Sequence, residues 1–199
     1  MSRPRLAVAT TAKLAVAATL GAAAVGALRQ RHEQAQVRRG ERPPAAAASD
    51  LPPGHPPSLV TERLSAWLPA RPRRPLGRAL TTVWAGPLTA VGLLMAALGR
   101  GRCRWDRERG CWVVVGVRGP SGVALRAVGA HANAIGHVIL SRHPEPPASL
   151  LDHEAVHVRQ AERLGPLLFP VYVWLGARYG YRDHPLERAA RAGARAAAG

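Results

Sequence analysis

The sequence predicts an α+β fold, in which short antiparallel strands lead into a histidine-bearing helix and two further helices, with Ala-rich and apolar helices ahead of them. Three observations carry this reading. "CWVVVGV" (111–117) and "AIGHVIL" (134–140) are short β-branched runs bounded by the turn-rich stretches "RGPSG" and "SRHPEPP". Residues 150–164 are bracketed by helix signals, with Ser149 before the stretch and Gly165 followed by Pro166 after it. Two apolar runs, 14–28 and 79–98, occupy the first half of the chain.

The elements follow in order. Residues 1–30 open with Arg3, Arg5 and Lys13, and the apolar run that follows has the length of a signal sequence or a weak membrane anchor. Residues 31–78 read as a basic, Pro/Ala-rich linker; "RPPAAAASDLPPGHPP" within it has no periodicity. Residues 79–98 contain no charged side chain and have arginines on both sides, so the run is long enough for a membrane span or is a buried helix. Residues 99–192 then form the expected catalytic domain, and 193–199 an Ala/Arg tail. Within that domain "RWDRERG" (104–110) reads as a turn, which sets Cys103 and Cys111 across a hairpin as a disulfide or as two free thiols. Ser149 is a candidate N-cap, with Asp152 closing a capping box. The apolar stretch after Gly165 makes Phe169, Tyr172 and Trp174 expected core residues, and Pro185 suits the first turn of a last helix.

Composition narrows the function classes. The formal charge is +16, yet the arginines are spread along the chain and no stretch interleaves them with aromatic residues. A specific nucleic-acid partner is therefore not expected. A membrane partner is, from the two apolar runs.

The chemistry-bearing motif is "HEAVH", residues 153–157. His153 and His157 are one helical turn apart, so their imidazoles point the same way and can meet one zinc ion. Glu154 lies to the side of that pair, where it can reach a zinc-bound water as a base. With eight His and eight Glu in 199 residues, chance yields this pattern roughly once in a hundred such chains, so the surrounding helix signals matter. A third ligand must come from downstream. Glu187 is the first candidate, with His184 and Asp183 as alternatives. Gln160, one turn beyond His157, could orient a ligand or substrate. Tyr181 could donate to an oxyanion, and His137 could face the cleft from its strand.

The stretch "HEAVHVRQAERLGPLLFPVY…GYRDHPLERAA" resembles a small bacterial group of HExxH proteins akin to gluzincins. Its residues His153, Glu154, His157, Gln160, Gly165, Pro166, Tyr181, Pro185 and Glu187 fit the group's pattern. His184 stands where Asn is expected, which leaves open whether His184 or Glu187 completes the ligand set. The resemblance implies a zinc metallopeptidase-like domain acting on a peptide or protein. The rival expectation is a membrane-associated, non-catalytic interaction module with a structural zinc or none.

Overall fold

The computed structural model describes residues 25–26, 28–41 and 58–199. The apolar run at 14–28 and the Pro/Ala stretch at 42–57 fall almost wholly outside them. In chain order the described elements are α1 (28–38), α2 (Leu59–Ser65), α3 (Pro75–Trp84), α4 (Gly86–Gly99), β1 (Arg102–Asp106), β2 (Cys111–Val115), α5 (Gly119–Ala127), β3 (Ala132–Ile135), β4 (Val138–Ser141), α6 (Ala148–Leu164), α7 (Leu168–Tyr179) and α8 (Pro185–Ala198). The fold is α+β. Two helices, α1 and α2, stand within the stretch whose composition reads as linker; α2 is short and held by a Ser58–Thr61 capping box.

The sheet has the order β1-β2-β4-β3. Its outer pairs are antiparallel and its central pair, β2 with β4, is parallel, so the expected all-antiparallel arrangement is corrected. A parallel pair needs a crossover, and α5 supplies part of it. "RGPSG" therefore starts a helix instead of closing a turn, because Pro120 suits a helix's first turn. "AIGHVIL" divides at Gly136, whose φ of 60° makes the β3–β4 hairpin.

Alternation along β2 and β4 sorts the core into two clusters. Cys111, Val113, Val115 and Ile139 pack with Leu151 and Val158 of α6. Val114, Val138 and Leu140 face the other way, onto Leu125 of α5 and Met95 of α4. The sheet is thus covered on both faces, which explains why β2 reads as a continuous apolar run. A third cluster joins Ala161 of α6, Leu168 and Leu175 of α7 and Leu186 of α8, and α8 packs directly against α6.

The uncharged run 79–98 is divided between α3 and α4, which meet at Ala85 and are bent by 66°. No described helix is long and apolar enough to cross a membrane; the bent pair passes only when taken together. Gly86 and Pro87 start the second helix at the break. The sheet-facing side of α4 is held close, since a Cβ on Gly92 would lie 2.5 Å from the Ile135 carbonyl oxygen.

The hairpin register pairs Asp106 with Cys111 and Cys103 with Val114. The two cysteines therefore face opposite sides of the sheet, and both are free thiols. Phe169 and Trp174, expected in the core, are 55% and 59% exposed. The apolar stretch after Gly165 exceeds what one helix face can bury, and α7 turns Leu168 and Leu175 inward instead. The Ala/Arg end continues as helix to Ala198.

Candidate metal centre

α6 begins one residue after Pro147, with no side-chain cap. Ser149 is exposed and Asp152 does not close a capping box. Asp152 instead accepts from Arg109 of the β1–β2 turn, at 2.9 Å from Nε and 2.5 Å from Nη2. A charged guanidinium is a stronger partner than a backbone amide, and this pair pins the start of α6 to the sheet. The other end stops where the sequence says. Gly165 has φ 53°, and its position under the Trp84 indole leaves no room for a Cβ.

Between these ends α6 turns His153 and His157 toward the first turn of α8. Nε2 of His153 lies 3.3 Å from Oε2 of Glu187, and Nε2 of His157 lies 3.1 Å from Oε1. Donors bound to zinc at 2.0–2.1 Å in a tetrahedron stand about 3.3 Å apart, so the spacing fits a metal of that size. Among the described residues, His153, His157 and Glu187 form the group that could hold a metal ion. Glu187 is 3% exposed, and its buried Oε2 has no hydrogen-bond partner, although the Arg191 guanidinium lies 3.9 Å away. A buried carboxylate oxygen of this kind suits a cation.

Surrounding side chains fix two of the three groups. His157 Nδ1 shares a 2.8 Å hydrogen bond with Gln160 Oε1. Since an amide oxygen only accepts, Nδ1 carries a proton, and Nε2 is the nitrogen left to bind an ion in place of its own proton. The Gln160 amide nitrogen donates in turn to the Leu186 carbonyl at 3.4 Å, tying α6 to α8. The Tyr172 hydroxyl donates to Glu187 Oε1 at 2.5 Å. Tyr172 was expected in the core, and it is indeed part-buried; its role at Glu187 is invisible in the sequence because α7 reads as uniformly apolar. Tyr181 also lies within electrostatic reach of Glu187, which raises its hydroxyl pKa well above the ordinary value.

The other candidate ligands are not brought into the group. His184 is 1% exposed and donates from Nε2 to the Tyr172 carbonyl at 2.9 Å, with its ring 4.2 Å from that of Tyr172. Asp183 Oδ1 faces Arg182 Nε at 3.8 Å and Arg188 Nη1 at 4.0 Å. His137 is at the other end of α6, where its ring contacts Thr89 Oγ1 at 3.1 Å and Glu162 Oε1 at 3.2 Å. It does not face this centre. Its backbone lies at the β3–β4 hairpin, where its amide donates to Thr89 Oγ1 of α4.

Glu154 is 5% exposed, next to the centre and under β3. Its carboxylate accepts from the Ala134 amide, while its buried Oε2 has no hydrogen-bond partner. Burial raises its pKa above the ordinary carboxylate value, against the pull of His157 and His153. Glu187 moves the other way. Burial would raise it, but the adjacent imidazoles, His157 foremost and then His153, hold it well below the usual range. Two buried carboxylates with opposite tendencies can divide the work, one staying charged and the other exchanging a proton.

Comparison with protein-family models, with curated proteins and with solved structures gave no match.

Proposed function

We propose that the chain is a zinc-dependent hydrolase, metallopeptidase-like, in which His153, His157 and Glu187 hold the ion. The observation that carries this reading is Glu154. A purely structural site has no use for a buried carboxylate beside the ligands that no arginine neutralises, unlike Glu162 with its Arg159 partner. Zinc held by two imidazoles and a carboxylate lowers the pKa of its bound water toward 7 and polarises a carbonyl.

The chain's own residues supply the rest. With zinc bound there, Glu154 would accept a proton from water at Oε2 and return it to the leaving group, a task suited to a carboxyl whose pKa burial has raised. The Ala134 amide holds the other side of that carboxylate in place. Gln160 keeps His157 in the tautomer that offers Nε2, and Tyr172 orients Glu187. Peptide is the favoured substrate class because β3 is the outermost strand. The Arg142 amide bonds the His131 carbonyl, and this parity turns the backbone groups of Ala132 and Ala134 away from β4, with the Ala134 amide taken by Glu154. An extended peptide laid along that edge passes Glu154.

The test is Glu154→Gln, read by zinc content and by cleavage of a fluorogenic peptide library. Zinc retained with turnover reduced about 10²–10⁴-fold is the expected outcome. Unchanged turnover would assign the centre to the rival, a structural zinc in an interaction module.

A further inference from the structure

α3 and α4 carry an apolar face that no described element covers. On α3, Leu76, Leu80 and Val83 follow one helix face and are 71%, 63% and 76% exposed. On α4, Val91, Leu94 and Leu98 do the same at 50%, 60% and 45%. Trp84, at the bend between the helices, is 47% exposed. Scattered exposed leucines need no explanation, but two successive helices of them do.

Charge identifies the occupant. From Arg63 to Trp105 the chain has eight arginines and not one Asp or Glu. Arg73, Arg74 and Arg78 are exposed around α3, and Arg100, Arg102 and Arg104 follow α4, also exposed. A second copy of this chain would set one arginine-rimmed face against another, which is repulsive. An anionic bilayer satisfies both features, taking the aliphatic side chains among its acyl chains and the guanidinium groups at its phosphates.

Geometry decides the depth. At 1.5 Å per residue, α3 and α4 are about 15 and 21 Å long, short of the roughly 30 Å hydrocarbon core. They are bent by 66°. α4 also cannot be surrounded by lipid, because Gly92 and Gly99 seat its inner face on Val138 and Val117. We propose that α3 and α4 dock the chain on an anionic membrane surface, lying in the interface without crossing the bilayer. This is independent of whether the metal centre is catalytic.

The experiment uses the full chain with vesicles of phosphatidylcholine alone or mixed with phosphatidylglycerol. Nitroxide labels are placed by Leu80→Cys, Leu94→Cys and, as a control on α5, Val123→Cys, each in a Cys103→Ser background. Expected are binding at least tenfold tighter to the anionic vesicles and shallow burial of the labels at 80 and 94. These labels should gain collisions with oxygen and lose them with an aqueous nickel relaxant, while the label at 123 should not change. Leu80→Glu combined with Leu94→Glu should weaken binding at least tenfold with an unaltered circular dichroism spectrum, since both positions are exposed. Labels at 80 and 94 that stay in water on bound vesicles would overturn the proposal and assign attachment to the segment 1–24. Labels protected without lipid, with doubled mass, would assign the face to a second copy. A label depth near the bilayer centre would make the pair a span, and no vesicle binding at all would also refute the docking.

Discussion

Helix α6 carries a histidine–glutamate cluster at each end, and the two are wired differently. At the C-terminal end, Glu162 Oε1 is shared by His137 and the Arg159 guanidinium, and both ring nitrogens of His137 are engaged, one by Thr89 and one by Glu162. Arg159 also reaches the Arg109 carbonyl, so this cluster ties α6 to the β1–β2 turn. At the N-terminal end, His153 and His157 both direct Nε2 at Glu187, and Glu154 stands beside them with an unpaired oxygen. Residue types alone would not separate the clusters. The difference lies in how closely an arginine binds the carboxylate, directly for Arg159 on Glu162 but at 3.9 Å for Arg191 on Glu187, and in whether imidazole nitrogens remain to be given to an ion.

The sharpest way to break this comparison is to remove the imidazoles. The purified protein should carry about one zinc per chain. His153→Ala combined with His157→Ala should abolish it, whereas His137→Ala should leave it intact; elemental analysis of the three proteins decides. Zinc retained by the double variant would sink the assignment of the N-terminal cluster.

Arg159→Met probes the opposite end. It leaves Glu162 buried with its counter-charge gone, a change that costs about 3–5 kcal/mol. Denaturant unfolding should register that loss while zinc content stays at the wild-type level.

A pH dependence follows from His184, which lies beside the centre without joining it. Burial pushes its pKa down to about 4 from an ordinary 6.5. The unfolded chain therefore binds a proton that the native protein refuses between these values. The His184 contribution to stability is full above 6.5 and is lost as pH drops toward 4, by about 3 kcal/mol. Chelator-treated protein should show this slope in urea titrations, and His184→Asn should flatten it.

The smallest effect is expected from Tyr172→Phe, which removes only the hydroxyl on Glu187. Outer hydrogen-bond partners of this kind are worth about 10–100-fold in metal affinity. Zinc competition with a chromophoric chelator should fall in that range. An unchanged affinity would return Tyr172 to the core role that its sequence context suggests.

The sequence by itself determined the α+β class, the stop of α6 at Gly165, the start of α8 at Pro185 and the common face of His153 and His157. The last three depend on a local rule each: a glycine that accepts positive φ, a proline that needs no amide partner, two side chains one helical turn apart. The start of α6 was not legible, because a distant arginine, Arg109, outbid the local cap for Asp152. The parallel pairing of β2 with β4 and the opposite faces of Cys103 and Cys111 depend on register, which a chain sets only when its faces find a core. Tertiary structure alone chose Glu187 over His184 and Asp183, sent His137 to the far end of α6 and brought Tyr172 to the centre. Which buried polar group meets which partner is decided by packing between elements far apart in sequence, because a group cut off from water must find its partners within the protein or in an ion.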